Sequence, residues 1–290
     1  MSADLALLRA TRFGPAEAAL AARLEAVFGP GNVVICADES RGRVETGLWP
    51  KASLTRARAE ALAGGPVPAD WGWRMGDLCH LAVAEAFGPR PRQWLIENDV
   101  HLPQDAAAAF ARMAATEADF MACDLAPRPV KPIAEAMTAV LPRADWGCIF
   151  AFNRLNGVRI PELRALRRAL VLALQGTRRK MPNDEAVLAN LGAVRGWKMV
   201  DLYAALPDVF DKAWFATNPP MLREAWAQTE GRIAHPVLSQ GEIMERIRDG
   251  SASGHPQPYS EGRLRRVLAA LPPEQAEALR FALSGKAENI

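Results

Sequence analysis

The stretch WLIENDV, residues 94–100, is one of the apolar strand patterns from which the fold class of this chain is predicted. Three apolar residues lead directly into Glu97, Asn98 and Asp99, a pattern typical of a buried strand that ends in a polar loop. In open α/β sheets, ligands bind beyond the carboxyl ends of the strands, so acids at this position are candidates for chemistry. Glu97 and Asp99 project to the same side if the segment is extended. Such a pair can hold Mg²⁺ or Mn²⁺ beside a diphosphate, although a lone pair of this kind is more often a polar turn.

Strand and helix patterns alternate on both sides of this stretch. The apolar run 32–37 predicts a strand that ends at Asp38 and Glu39, and residues 41–72 predict a loop with a short helix at 54–62. Further strands are predicted at 119–123 and 146–152, and further helices at 15–28, 76–87, 106–116, 132–141, 160–174 and 184–194. This alternation predicts a layered α/β domain with a mixed, mainly parallel sheet flanked by helices.

Charge and hydropathy exclude several function classes. The 290 residues carry 35 Lys+Arg and 33 Asp+Glu, a net charge of +2. General binding to nucleic acid or to an anionic membrane needs a much more basic balance. The longest apolar runs, such as 169–174, are far shorter than the roughly 20 residues of a membrane span, and residues 1–10 lack the pattern of a leader. We therefore expect a cytoplasmic protein without a transmembrane segment.

Common cofactor and hydrolase signatures are missing from the sequence. The 4 cysteines stand singly in apolar surroundings, so they are interpreted as buried, reduced side chains. No GxGxxG, GxxxxGK[ST], HExxH or GxSxG pattern occurs in the chain. The sequence therefore gives no motif for a P-loop or Rossmann nucleotide-binding protein, a zinc protease or a serine hydrolase.

Several fragments resemble, in the same order, bacterial glycosyltransferases of the GT-A fold. Residues 94–100 resemble their DxD-type segment, which has a W-x-I-E-x-D-V core in some families. The resemblance extends over roughly residues 32–237. The other matching fragments are 33–39 as the first strand of that fold, 73–77 as a W-x-x-G-D segment, 152–156 as an R-[LI]-S stretch with Asn156 in place of serine, 182–185 as the acidic acceptor-side segment, and 234–237 as a late H-P-V motif.

The resemblance implies roles for particular residues. It makes Asp99 and His235 ligands of a divalent metal, Mn²⁺ or Mg²⁺, although a single histidine is more often a packed or surface residue. Glu185, or alternatively Asp184, becomes the base that deprotonates the acceptor, with Glu185 the slightly better match. The same acids are also what a helix start looks like, with Asn183 as its cap. The donor-binding residues implied are Asp38, Glu39, Trp73, Asp77, Glu97 and Arg154.

The resemblance predicts a metal-dependent glycosyltransferase that moves a sugar from a nucleotide diphosphate, with a UDP-sugar favoured, to an unidentified hydroxyl acceptor such as a glycan. One alternative is a non-catalytic GT-A-fold binding protein; the other is a Mg²⁺-dependent nucleotidyltransferase or phosphohydrolase. The predicted organisation is a GT-A-like domain over residues 1–250, with a nucleotide half at about 30–125 and an acceptor half at about 126–240. A linker at 251–259 and a C-terminal helical tail at 260–290 are expected to follow.

Overall fold

A computed structural model describes residues 4–128, 136–217, 220–226 and 230–243, together with eight positions between 262 and 280. The predicted linker and most of the predicted tail lie outside the described residues. Among the described residues, no helix combines the length and apolar character needed to cross a bilayer.

A seven-stranded sheet forms the centre of the described chain, with the strand order β3-β2-β1-β4-β6-β5-β7. Strand β6 pairs antiparallel with both β4 and β5, whereas the other pairings are parallel. The predicted mixed, mainly parallel sheet is therefore confirmed. The strands are β1 (Leu5–Ala10), β2 (Val33–Asp38), β3 (Lys51–Leu54), β4 (Arg92–Glu97), β5 (Phe120–Pro127), β6 (Trp146–Asn156) and β7 (Met199–Asp201), and a separate parallel pair is formed by β8 (Met221–Leu222) and β9 (Val237–Leu238).

Helices cover both faces of the sheet. The described helices are α1 (Pro15–Phe28), α2 (Arg56–Ala63), α3 (Trp71–Arg74), α4 (Leu78–Phe87), α5 (Ala106–Ala115), α6 (Ile160–Leu174), α7 (Asp184–Arg195), α8 (Leu202–Ala205) and α9 (Arg223–Trp226). Single-turn 3-10 helices occupy Ala136–Ala139 and Gly157–Arg159.

Strand β1 shows how the two faces are separated. Leu5 and Leu7 join the core beneath α2, α4, α6 and α7, whereas Ala6 and Leu8 join the core beneath α1 and α5. Successive side chains of a strand point to opposite faces, so a strand buried on both sides reads as a continuous apolar run. Arg9 follows the same alternation and projects to the α4 and α7 side.

The structure corrects several sequence predictions. The first strand of the sheet is β1, not residues 33–39, because the apolar run before Arg9 pairs with both β2 and β4. The short strands β3 and β7 are also absent from the sequence prediction, since four and three residues are too few to show a period. The helix predicted at 132–141 is a 3-10 turn at 136–139 where it is described, and residues 129–135 lie outside the described residues.

Candidate functional site

The sheet has a topological switch point between β1 and β4. The connection from β1 to β2 runs through α1 on one face, whereas α2 and α4, on the way from β3 to β4, pack on the other face. Connections that leave on opposite faces open a crevice at the carboxyl ends of the two adjacent strands, where ligands of open α/β sheets bind. Arg9 of β1 and Glu97 of β4 are paired in the strand register at this position.

The alternation predicted for residues 97–99 is present. The Nδ2 atom of Asn98 donates a hydrogen bond to Oε1 of Glu17 on α1, at 3.0 Å. Asn98 therefore faces α1, while Glu97 and Asp99 face the crevice. Glu17 in turn accepts a hydrogen bond from the backbone N–H of Gly14, at 2.9 Å. The amide at position 98 thus anchors the loop to the start of α1.

The late H-P-V segment lies against the loop that follows β4. The backbone N–H of Val237 donates to the carbonyl of Asp99 at 2.7 Å, and that of His101 donates to the carbonyl of Ala234 at 2.8 Å. These backbone bonds place His235 beside Asp99, although the two residues are 136 positions apart in the sequence. Both residues are almost fully buried, with Asp99 8% and His235 6% exposed.

The cluster formed by Glu97, Asp99 and His235 has the chemistry of a divalent cation site. One ligand atom from each residue lies within 4.8 Å of the others. Ligand atoms about 2.1 Å from one ion lie at most about 4.2 Å apart, so a small side-chain adjustment would close the cluster around Mg²⁺. Two carboxylate oxygens and one imidazole nitrogen suit Mn²⁺ as well.

The orientation of His235 supports the same assignment. Its Nδ1 atom lies 2.7 Å from the carbonyl oxygen of Ala216, which can only accept, so Nδ1 carries the proton that forms this bond. The Nε2 atom then faces Oδ1 of Asp99 at 3.3 Å and Oε2 of Glu97 at 4.0 Å. An imidazole nitrogen pointed at two carboxylates needs a cation or a second proton between them. A second bond that fixes the ring in this way is typical of metal-bound histidines.

Arg9 is a central residue of the site that the sequence analysis missed. Its Nη1 atom donates to Oε1 of Glu97 and lies 3.7 Å from Oδ2 of Asp184, and its Nη2 atom donates to the carbonyl of Gly72. Burial by itself would lower the pKa of the guanidinium, but the carboxylates of Glu97, Asp184 and Asp38 raise it above its ordinary value. Arg9 is therefore a fixed positive charge. The sequence feature that could have identified Arg9 is a charged residue inside the otherwise apolar run 5–10.

Asp184 reaches the crevice from the first turn of α7. Its Oδ2 atom accepts a hydrogen bond from the backbone N–H of Gly76, at 2.9 Å, and its Oδ1 atom accepts one from the N–H of Glu185, at 2.9 Å. A Cβ atom at position 76 would lie 2.5 Å from Oδ2 of Asp184 and would also overlap Arg9. Glycine in the W-x-x-G-D segment thus allows the carboxylate to approach the backbone closely.

Burial raises the pKa of Asp184 well above its usual range, and the nearby carboxylates of Glu185, Asp77 and Glu97 act in the same direction. The Arg9 guanidinium opposes this shift, but Glu97 is its closer partner, so burial prevails. A carboxyl group whose pKa is raised keeps its proton to a higher pH than an ordinary aspartate does.

The other predicted acids and Trp73 are distributed around this centre. Asp38 is buried, and its carboxylate would contact a Cβ atom at Gly72, so it lies directly beside the carbonyl that binds Arg9. Glu39 accepts hydrogen bonds from Lys51 Nζ at 3.0 Å and from the backbone of Val44 at 2.9 Å. These contacts lower its pKa despite the opposing effect of burial, and they hold the loop after β2. Trp73, on α3, is half-buried under the Arg74 guanidinium.

Two predicted donor-binding residues are packed into the protein. Asp77 is fully buried behind Asp184 and forms an ion pair with Arg167, which is equally buried. Arg154 is 1% exposed, and its guanidinium donates to the carbonyls of Met113 and Ala118 near the end of α5. The structure thus gives both side chains bonds that support the fold.

Asn183 and Glu185 complete the start of α7. Asn183 is the N-cap residue, but its Nδ2 atom donates to Oε2 of Glu185 at 2.9 Å, and its side chain does not cap the backbone. Of the two acids, Asp184 is the one that Arg9 links to Glu97 of the candidate metal cluster.

Comparisons with known proteins find structural likeness only. No protein-family model matches the sequence, and no curated protein matches it. An active-site mutant of LgtC is similar in structure, with a TM-score of 0.36 and 12% sequence identity, over 77% of this chain and 76% of that one. The apo form of mouse xyloside xylosyltransferase 1 is similar with a TM-score of 0.35 and 13% identity, over 79% of this chain and 90% of that one.

Proposed function

We propose that this protein is a divalent-metal-dependent glycosyltransferase that moves a sugar from a nucleoside diphosphate to a hydroxyl acceptor. The observation that carries the proposal is the Glu97, Asp99 and His235 cluster at the carboxyl end of β4, linked through Arg9 to the buried acid Asp184. The resemblance of residues 73–77, 94–100 and 234–237 to GT-A glycosyltransferases points to the same activity.

The cluster would bind the diphosphate of the donor through the metal. A divalent ion held by Glu97, Asp99 and His235 would act as a Lewis acid that stabilises the leaving nucleotide diphosphate. Arg9 holds Glu97 through one oxygen, so Glu97 presents its other oxygen towards His235. Asp38, beside the Gly72 carbonyl that binds Arg9, and Trp73, the next residue of the same helix, are the donor contacts that we propose from those implied by the resemblance.

Asp184 is the base that we propose for the acceptor hydroxyl. In the transfer, the acceptor oxygen forms a bond to the anomeric carbon, and the bond from that carbon to the diphosphate oxygen breaks. The hydroxyl proton goes to the carboxylate of Asp184, as in an inverting displacement. The raised pKa of Asp184 matches this role, because it brings the carboxyl group closer to the pH at which the enzyme would work.

The test is calorimetric titration of UDP and GDP with and without Mn²⁺. Wild-type protein should bind one of the nucleotides only with Mn²⁺, and Asp99→Asn should abolish that binding. Asp208→Asn is a matched control, because Asp208 is an exposed acid that pairs with Arg112 on the surface. A folded wild-type protein that binds neither nucleotide would overturn the proposal.

Turnover of a UDP-sugar distinguishes the remaining alternatives. Release of UDP that depends on an added hydroxyl acceptor supports transfer. Cleavage at the same rate without any acceptor would identify a phosphohydrolase instead. Tight Mn²⁺-dependent binding without turnover of any donor would identify a binding protein.

A further inference from the structure

Arg9 places a fixed positive charge directly beside the candidate metal site. Its side chain is 11% exposed, and it lies inside a strand whose neighbours, 5–8 and 10, are buried apolar residues. An ionised group in such surroundings is costly unless it is paired and hydrogen-bonded. Arg9 meets this condition through Glu97, Asp184 and the carbonyl of Gly72.

Glu97 is shared between this cation and the cluster. Its Oε1 atom accepts from Arg9, whereas its Oε2 atom is the one that lies 4.0 Å from Nε2 of His235. A carboxylate bound to a guanidinium has part of its charge already compensated. Glu97 can therefore offer a metal ion one oxygen, with less negative charge than a free carboxylate would supply.

The charges of the site then favour joint binding of metal and nucleotide. A guanidinium a few ångströms away repels an incoming divalent cation and attracts a diphosphate, and both effects are strong in a buried site. We propose that Arg9 is a positioning residue that keeps the metal affinity of the empty site low, so that the divalent ion binds firmly only together with the nucleoside diphosphate. This inference rests on the proposed function and deepens it.

The backbone around Arg9 is built to accept this particular side chain. A Cβ atom at Gly76 would overlap the guanidinium, and the carbonyl of Gly72 accepts from its second nitrogen. Lysine would keep the charge but could not make the forked contacts to Glu97 and Gly72 together. The two substitutions Arg9→Lys and Arg9→Gln therefore separate the effect of the charge from the effect of the hydrogen bonds.

The experiment is a titration of Mn²⁺ followed by electron paramagnetic resonance, with and without saturating UDP. Arg9→Gln should bind Mn²⁺ alone about tenfold more tightly than wild type, because the repelling charge is gone. Arg9→Lys should remain near the wild-type affinity, because it keeps that charge. A merely structural role predicts the opposite, namely weaker Mn²⁺ binding in both variants.

Two further variants control the result. Arg92→Gln removes the same charge at the amino end of β4, about 16 Å from Glu97 along the strand, and should leave Mn²⁺ binding unchanged. Arg92 is a suitable match because it also pairs with an acid, Asp4. Adding Glu97→Gln to Arg9→Gln should remove the gain in affinity, because it takes away the carboxylate whose charge Arg9 compensates in the wild-type site.

Wild-type protein provides a test that does not depend on the folding of a variant. UDP should tighten Mn²⁺ binding to wild type at least tenfold. An equal affinity for Mn²⁺ with and without UDP, or a folded Arg9→Gln protein with unchanged or weaker binding, would overturn this inference alone. Failure of wild type to bind Mn²⁺ even with UDP present would overturn the proposed function and this inference with it.

Discussion

At the scale of single residues, the site depends on what surrounds each carboxyl group. Glu97 is paired with Arg9, and Glu39 is hydrogen-bonded to Lys51. Asp184 is buried, and Nη1 of Arg9 lies 3.7 Å from its Oδ2 atom. The same chemical group consequently has a lowered pKa in Glu39 and a raised pKa in Asp184.

The raised pKa of Asp184 predicts a pH dependence of stability. The folded protein retains a proton on Asp184 at a pH where the unfolded chain has released it. The stability that this proton contributes is present below the unfolded pKa and is lost as the pH rises through the folded value. Asp184→Asn cannot ionise, so its thermal midpoint should improve relative to wild type as the pH increases from 4 to 8.

Activity and a matched control complete the test of Asp184. Asp184→Asn should lower kcat by about 100-fold or more, while Mn²⁺-dependent UDP binding is retained. Asp208→Asn should show almost no trend in its midpoint from pH 4 to 8, because the hydrogen bond from Arg112 lowers the pKa of Asp208 and places its titration below this range. A midpoint difference for Asp184→Asn that stays constant with pH would contradict the assignment.

At the scale of elements, a buried ion pair fixes the helices that carry the site. Nε of Arg167, on α6, donates to Oδ2 of Asp77 at 2.6 Å, immediately before α4, and Nη1 of Arg167 donates to the carbonyl of Pro182 at 3.1 Å. The pair thus joins α4 and α6 to the segment that leads into Asp184. This connection gives the acid at position 77 a structural role.

Removing one partner of this pair should destabilise the protein strongly. Asp77→Leu leaves the Arg167 charge buried and uncompensated, so we expect a loss of about 3–5 kcal/mol in the free energy of unfolding. The double variant Asp77→Leu with Arg167→Met should recover much of that loss. Urea unfolding of the single and the double variant measures both free energies of unfolding. Arg143→Gln is the control, because the exposed pair of Arg143 and Asp145 should contribute less than about 1 kcal/mol. A small loss for Asp77→Leu would show that the pair does not hold these elements.

At the scale of the whole molecule, the site joins four distant parts of the chain. Arg9 comes from β1, Glu97 and Asp99 from the end of β4, Asp184 from α7, and His235 from the segment before β9. The late segment is fixed further by Glu242, which forms ion pairs with both Arg12 and Arg223. A ligand that binds residues from all these parts must stabilise the folded state as a whole.

Thermal unfolding should therefore report ligand binding. Mn²⁺ with UDP at 100 times the dissociation constant should stabilise the protein by about 2.7 kcal/mol and raise its Tm accordingly. EDTA should reverse the increase without unfolding the protein, because the strands and helices are held by their apolar cores. Asp99→Asn should show no increase with Mn²⁺ and UDP. An equal increase in this variant would place the ligand at another site.

Local sequence patterns were enough to predict the layered α/β class, most helices and the strands β2, β4, β5 and β6, because burial on one or both faces leaves a period that can be read locally. They did not predict β1, which lies between β2 and β4 in the sheet. The sequence also indicated Glu97, Asp99, His235 and Asp184 as candidates, through motifs. Which of these candidates lie together became apparent only from the folded structure. It placed His235 next to Asp99, packed Asp77 and Arg154 into supporting bonds, and revealed Arg9. The physical reason is that strand pairing and ion pairs join residues far apart in the chain, and no local pattern encodes such contacts.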